Sequence, residues 1–176
     1  MYMLGYRAKS GHLDTFAVRV RAALDESEID IRQVVAPAHL PLLTPFEAGD
    51  KPLTKLEEQL QELRHCGKVA PFWGNAAPPA GFPGGDIYVP VLGVDEVLVQ
   101  MGRELEIIGF TDPNQGLRCP HIVVATCVRD KDAAAAHRAI VRRVRPPENL
   151  LFDRLVLFQR DDERMAWREA SVVRLN

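Results

Sequence analysis

Hydrophobic positions along the chain follow two spacings, one typical of strands and one typical of helices. Bulky and small or polar residues alternate over residues 2–7, which predicts a first strand. Apolar residues then recur at helical spacing from about residue 12 to 25, which predicts an amphipathic helix. Further strands are predicted at 69–73, 86–92, 121–128, 150–160 and 165–175, and a strand-like lead at 29–35.

Three later helices are predicted from their start signals. Thr54 and Glu57 have the spacing of a capping box, in which the threonine side chain and the glutamate each satisfy a backbone amide. Asp95 is predicted to cap the next helix, whose end is left open because residues 105–110 also have a strand pattern. The last helix is predicted to begin at Asp132.

The two halves of the chain resemble each other in the order of these elements. Each has a strand-like lead, a strand that begins with a histidine, a helix, and then two more strands. The last two strands flank an acidic turn at 161–163 and are predicted to form a hairpin. A Gly- and Pro-rich stretch at 74–85 is a candidate flexible or binding loop. Alternating strands and helices predict an α/β or α+β sheet fold.

Composition excludes several classes of protein. With 176 residues, of which 47% are hydrophobic, the chain can form one well-buried domain or two small lobes that share a core. A net charge of −2 gives no global basic excess for duplex nucleic acid, although a small or end-bound anion stays compatible. No apolar run is long enough to cross a membrane, and no signal peptide is recognisable. The three cysteines, Cys66, Cys119 and Cys127, favour a reduced, cytoplasmic protein.

Candidate chemistry lies in two similar stretches, Ala38–Phe46 and Pro120–Thr126. Each has a histidine near its start, His39 or His121, and a threonine five residues after that histidine. Because histidine titrates near neutral pH, two of them at one site would supply both a base and an acid. No Cys/His spacing supports a zinc site.

These stretches resemble the two motifs of the 2H phosphoesterase superfamily, and most closely its 2′-5′ RNA ligase and cyclic phosphodiesterase branch. The resemblance extends loosely over nearly the whole chain, including the terminal hairpin with Trp167. It implies an α+β fold of two lobes with pseudo-symmetric antiparallel sheets and helices on the outer faces, within a single domain of residues 1–176. It also implies phosphoesterase chemistry by His39 and His121, without metal or cofactor. The expected partners are RNA 2′,3′-cyclic phosphate ends, 2′-5′ linkages or small cyclic nucleotides. We expect a monomer with no membrane partner.

The sequence departs from the family pattern where a hydroxyl residue follows each histidine by two positions. Pro41 and Val123 occupy these positions. Thr44 and Thr126 are candidate substrate-binding donors, but at five residues from each histidine they should point to the opposite strand face unless a bulge intervenes. The prolines make a bulge plausible near Thr44 and less so near Thr126. The alternative hypothesis is therefore a non-catalytic protein that binds nucleotides or RNA ends.

Other residues have competing interpretations. Phe46, Phe72 and Trp73 could stack a nucleobase, although we expect at least two of them to pack in the core. Arg160 ends a predicted strand and could contact an anion. Arginines at 138, 142, 143 and 145 form either a solvated helix face or a path for RNA phosphates. The remaining histidines, His12, His65 and His137, are interpreted as surface or helix-terminal residues.

Overall fold

A computed structural model describes residues 1–9, 11–32, 37–47, 53–81, 86–110, 119–127, 132–162 and 166–175, without the side chains at 31, 32, 44, 126 and 127. The helices are α1 (His12–Asp25), α2 (Leu53–His65), α3 (Asp95–Ile107) and α4 (Ala133–Arg143). The strands are β1 (Tyr2–Ala8), β2 (Ile31–Arg32), β3 (Leu40–Phe46), β4 (Phe72–Ala76), β5 (Ala80–Gly81), β6 (Asp86–Leu92), β7 (His121–Cys127), β8 (Leu150–Gln159) and β9 (Arg168–Arg174).

The described strands form one antiparallel sheet that divides into two lobes. Its order is β2-β7-β6-β4-β8-β1-β3, with β5 beside β6 and β9 beside β8. Strand β4 pairs with β6 on one side and with β8 on the other, so it joins the lobes. Strands β3 and β7 are far apart in this order and yet contact each other, so the sheet bends until its two histidine strands meet. The predicted two-lobed α+β fold is confirmed.

The four helices cover one face of this sheet. Each helix contributes buried side chains to the main hydrophobic core, among them Phe16, Leu60, Met101 and Ile140. The predicted apolar stripe of α1 is confirmed, because its residues at helical spacing are buried. A smaller apolar cluster forms away from this core, from Met3, Val156, Phe158 and Trp167. Met3, Val156 and Phe158 lie on the opposite face of the sheet, since they alternate with core residues along β1 and β8.

The prolines of β3 have the expected consequence. Proline cannot donate to a strand ladder and is confined to edges and bulges. Strand β3 is the last strand of the order, and its register with β1 is irregular on both sides of the Leu4–Leu43 pair. The closing hairpin is also confirmed, because β8 and β9 pair antiparallel.

Several predicted boundaries are wrong. Thr54 is the second residue of α2 rather than its cap. Asp95 is the first residue of α3, whose N-cap is Val94 and lacks a side-chain hydrogen bond. This helix continues to Ile107, and residues 108–110 form no strand, so the helical alternative for this stretch holds. Strand β4 begins three residues later than predicted and extends into the predicted loop at 74–85, which also contains β5; residues 82–85 lie outside the described chain.

Candidate active site on the open face of the sheet

His39 stands immediately before β3, where a backbone carbonyl fixes its ring. Its Nδ1 lies 2.8 Å from the carbonyl oxygen of Pro37. A carbonyl oxygen only accepts, so Nδ1 carries the hydrogen and donates it. In the neutral ring, Nε2 is then the unprotonated nitrogen and is available as a base.

The His39 ring is enclosed between two strands. It packs on the ring of Phe158, with centroids 4.8 Å apart. It also lies so close to β1 that a Cβ at Gly5 would stand 2.5 Å from His39 Cδ2. Glycine is therefore required at this point of the strand, because any side chain would displace the imidazole.

Burial dominates the protonation of His39. The residue is 9% exposed. Burial disfavours the charged ring and lowers the pKa of His39 to about 4, against the opposing effect of the Pro37 hydrogen bond. The positive charges of Arg7 and His121 lower this pKa further. His39 is thus neutral at pH 7. Its buried Nε2 has no hydrogen-bond partner in the described chain, which makes it the open position of the ring.

His121, the first residue of β7, has the same ring fixation. Its Nδ1 lies 2.7 Å from the carbonyl oxygen of Cys119, again two residues upstream. Its surroundings differ, because the ring is half-buried and meets Tyr88 edge-on at 5.3 Å. In both imidazoles, Nδ1 is therefore held by the backbone carbonyl two residues before the histidine.

The two histidines lie on the same face of the sheet, the open face opposite the helices. On β7, Ile122 and Val124 point into the main core, so His121 and Val123 point away from it. On β1, Leu4 and Tyr6 point into that core, so His39 covers Gly5 on the opposite side. Because β3 and β7 also contact each other, the arrangement is unlike that of two unrelated surface histidines.

The positions two residues after the histidines lie beside them. Pro41 pairs with Gly5, and Gly5 is the residue that the His39 ring covers. Val123 is half-buried and pairs with Tyr88 on the His121 face. Neither position supplies the hydroxyl that the family pattern has there.

Backbone irregularities change the expectation for the two threonines. The register of β3 shifts on both sides of Leu43, as the prolines predicted. Strand β7 also has a shift, since Val123 and Ala125 pair with consecutive residues of β6. The expectation that a bulge near Thr126 is less plausible is therefore wrong, and the parity argument against this residue fails. The side chains of Thr44 and Thr126 lie outside the described residues, so their role stays a prediction.

The remaining candidates occupy other places. Phe46 lies at the far end of β3 from His39 and contacts the rings of Tyr2 and Phe110 at 6.2 and 5.7 Å. The guanidinium carbon of Arg160 stands 4.7 Å over the ring of Trp167. Arg160 is the residue after β8, and the Trp167 ring that it covers belongs to the apolar cluster with Phe158. Their predicted contact with substrate stays a prediction.

The other histidines and the arginines of α4 take no part in this face. His12 and His65 are exposed at helix termini, and His137 Nε2 lies 2.6 Å from the carbonyl oxygen of Pro79. Arg143 pairs with Glu26, the residue that follows α1. No helix in the described part of the chain is long and apolar enough to cross a membrane. The described residues also contain no group of three His, Cys, Asp or Glu arranged to hold a metal.

Sequence reasoning missed the residues that fix the histidine rings. Gly5, Phe158 and Tyr88 were not singled out, nor were the carbonyls of Pro37 and Cys119. One signal was present, because a glycine inside the strand pattern of 2–7 marks a close approach by another group.

Solved structures share this fold along almost the whole chain. The protein TT0787 of Thermus thermophilus is 15% identical with a TM-score of 0.61, and the match covers 99% of this chain and 97% of that one. Escherichia coli LigT, complexed with 3′-AMP, is 14% identical with a TM-score of 0.57 and the same coverage. Usb1 of Kluyveromyces marxianus is 12% identical with a TM-score of 0.52, covering 99% and 96%.

At these identities the likeness shows the fold. The chain has the 2H phosphoesterase type of fold that the two histidine stretches predicted. No known sequence family matches the chain, and no curated protein matches it.

Proposed function

We propose that this protein is a phosphoesterase that uses His39 and His121 as a paired acid and base. Its substrates are RNA ends with a 2′,3′-cyclic phosphate, 2′-5′ linkages or small cyclic nucleotides. The observation that carries the proposal is the matched ring geometry, in which each Nδ1 donates to the carbonyl two residues upstream on the same open face.

The structural neighbours support this substrate class. LigT is described in complexes with 3′-AMP, ATP and NADP⁺, and Usb1 in a complex with uridine monophosphate. A further neighbour with a TM-score of 0.52 and 14% identity is described as a phosphoesterase. All of these proteins bind or act on phosphate-bearing molecules, and this chain shares their fold.

The two environments suggest different roles. Neutral His39 accepts a proton from water through Nε2, and the water oxygen forms a bond to phosphorus. Protonated His121 donates a proton to the ribose oxygen as the cyclic P–O bond breaks, which yields a phosphomonoester and a hydroxyl group. Solvent then restores both histidines. A bound anionic phosphate beside His39 would raise its pKa and strengthen it as a base.

The first test is hydrolysis of a 2′,3′-cyclic nucleotide and of RNA with a cyclic-phosphate end, in the absence of added metal. Loss of either general catalyst typically costs about 10²–10⁴-fold in rate. We expect His39→Ala and His121→Ala each to lose turnover on this scale. His12→Ala, which changes an exposed histidine on α1, should retain it. Turnover that survives in either site variant would exclude the paired mechanism.

The second candidate is a protein that binds RNA ends without catalysis. Pro41 and Val123 favour it, because they leave the positions beside both histidines without a hydroxyl to stabilise a developing negative charge. Loss of one such donor typically costs about 10²–10³-fold in rate. Wild-type protein that binds a 3′-phosphorylated RNA end but hydrolyses no cyclic phosphate would support this candidate. Cytoplasmic location, the monomeric state and a single domain of 1–176 stay predictions.

A further inference from the structure

A row of arginines crosses the open face of the sheet over β1, β8 and β9. The register of β1 with β3 ends at the Tyr6–Leu40 pair, and one further step places Arg7 beside His39. Arg7 pairs with Arg154 of β8, and Arg154 pairs with Arg174 of β9. Residues paired directly across antiparallel strands point to the same face, so His39 and the three arginines form one line. Like charges in such pairs repel, so the row needs compensating anions.

Compensation within the described chain is incomplete. Arg7 is held by the carboxylates of Asp14 and Glu169. Arg154 Nε lies 3.1 Å from Asp153 Oδ1, and its Nη2 donates to the carbonyl oxygen of Ala8 at 2.8 Å. Arg174 is exposed, and its side chain has neither an ion pair nor a hydrogen bond among the residues described. The far end of the row thus presents an uncompensated guanidinium to solvent.

An exposed aromatic ring lies further along the same edge of β8, where β4 replaces β9 as the neighbouring strand. Trp73 is 61% exposed, whereas its neighbours Phe72 and Gly74 are buried. It pairs with Leu151 of β8, three residues before Arg154. Leu151 alternates with the core residues Leu150 and Phe152, so it points to the open face, as Trp73 does. The register shift of β8 between Phe152 and Arg154 puts Arg154 on this face as well. Because one of the three residues between the two levels is the extra residue of this bulge, the levels are about 7–10 Å apart along β8.

We propose that Arg174 and Trp73 form a binding path for single-stranded RNA leading away from the histidines. The path rests on the proposed function for its reactive end, and it makes the substrate an RNA strand rather than a mononucleotide. Arg174 contacts a backbone phosphate as a cation, and the Trp73 ring stacks a base beyond it. Single-strand binding sites combine these two elements, a positive groove and an aromatic platform.

Other aromatic and basic residues are less suited to this path. Phe72 is buried against Tyr6 and Phe152, and Phe46 packs with Tyr2 and Phe110. The arginines of α4 belong to a helix whose buried residues face the main core, on the side of the sheet away from the histidines.

The test compares a short RNA oligonucleotide ending in a 3′-phosphate with a nucleoside 3′-monophosphate that carries the same base. Neither probe needs turnover, so binding is measured directly by anisotropy or calorimetry. Trp73→Ala should weaken oligonucleotide affinity by about 5- to 150-fold, the range for one stacked base, while Trp73→Phe retains most of it. Arg174→Gln should reduce the slope of log affinity against log salt by about 0.7. Arg103→Gln and Ile107→Ala, which change exposed residues of α3, are matched controls.

Support requires loss of oligonucleotide affinity with unchanged mononucleotide affinity. The path is excluded if both site variants bind the oligonucleotide like wild type, if both probes weaken equally, or if wild type does not bind the oligonucleotide. Wild type that binds through Trp73 and Arg174 but hydrolyses no cyclic phosphate would refute the proposed catalysis and leave the path intact. Turnover that is unaffected in both variants, with unchanged oligonucleotide binding, would refute the path and leave the proposed catalysis intact.

Discussion

The two histidine strands share one device and differ in what surrounds it. Both rings donate Nδ1–H to the carbonyl two residues upstream. His39 is then enclosed by Gly5 and Phe158, whereas His121 is half-buried against the edge of Tyr88. The same local fixation thus occurs in an enclosed environment and in a half-buried one. A duplicated motif therefore need not give duplicated roles, and four changes test this contrast.

The largest expected effect is on stability at acid pH. The folded pKa of His39 is about 4 and the unfolded value is 6.5, so below pH 6.5 the unfolded chain takes up a proton that the folded chain refuses. The contribution of neutral His39 to the free energy of unfolding is therefore complete above pH 6.5. It is lost as the pH falls to 4, and the loss is about 3 kcal/mol. Denaturation at several pH values should show this additional loss in wild type relative to His39→Gln. Parallel curves for the two proteins would mean that burial does not depress this pKa.

Gly5→Ala tests the enclosure of His39 directly. The new Cβ would stand 2.5 Å from the ring and 2.9 Å from the Leu40 carbonyl oxygen, so the imidazole must move. A displacement of about 1 Å in a catalytic group can cost about 10²-fold in rate. We expect kcat for a cyclic nucleotide to fall on this scale. Gly11→Ala, whose Cβ would meet only Thr15 Oγ1 at 3.9 Å, is the control and should be nearly silent. Equal effects of the two changes would contradict the role of Gly5.

Val123→Thr would make the His121 strand more like the family pattern. Threonine is close to valine in shape, and position 123 is half-buried on the histidine face. A new donor beside the phosphate should raise kcat by about tenfold, less than the full worth of a preorganised donor. Val124→Thr is the matched control, because it places the same hydroxyl in the core and should lower stability by about 1–3 kcal/mol. An unchanged kcat in Val123→Thr would indicate that phosphate does not reach this position.

The smallest effect concerns the ring beside His121. Tyr88 meets this histidine edge-on, with planes at 70°, and aromatic pairs of this kind contribute about 0.5–1.5 kcal/mol. Tyr88→Leu should lower the free energy of unfolding by about 1 kcal/mol and weaken activity severalfold, as measured by denaturation and by kcat. Tyr88→Phe retains the ring and should retain both. Loss in both variants alike would assign the effect to the hydroxyl instead.

Sequence periodicity predicted the elements better than their ends. The helix at 12–25 and the strand at 86–92 match the structure because one strong apolar pattern decides each of them. The predicted cap positions Thr54 and Asp95 are wrong, because a cap satisfies only a few backbone groups and the helix can begin at a neighbouring residue instead. His39 and His121 could be singled out because the same motif occurs twice. Phe158 and Tyr88 could not, since only strand pairing and register decide which residues meet the rings. Gly5 had a signal as a glycine inside a strand pattern, but the sequence does not say which group approaches it.

Strand β1 lies between β3 and β8, which are separated by more than a hundred residues. During synthesis β1 and β3 are made before β8, so the edge of β1 that belongs to β8 stays open while more than a hundred further residues are translated. Long-range pairing of this kind slows folding, and an open edge can pair with another chain in the meantime. The sheet that carries Gly5 and Phe158 on neighbouring strands is thus completed only after β8 is made, so the pocket around His39 forms later than the β1–β3 pair beside it.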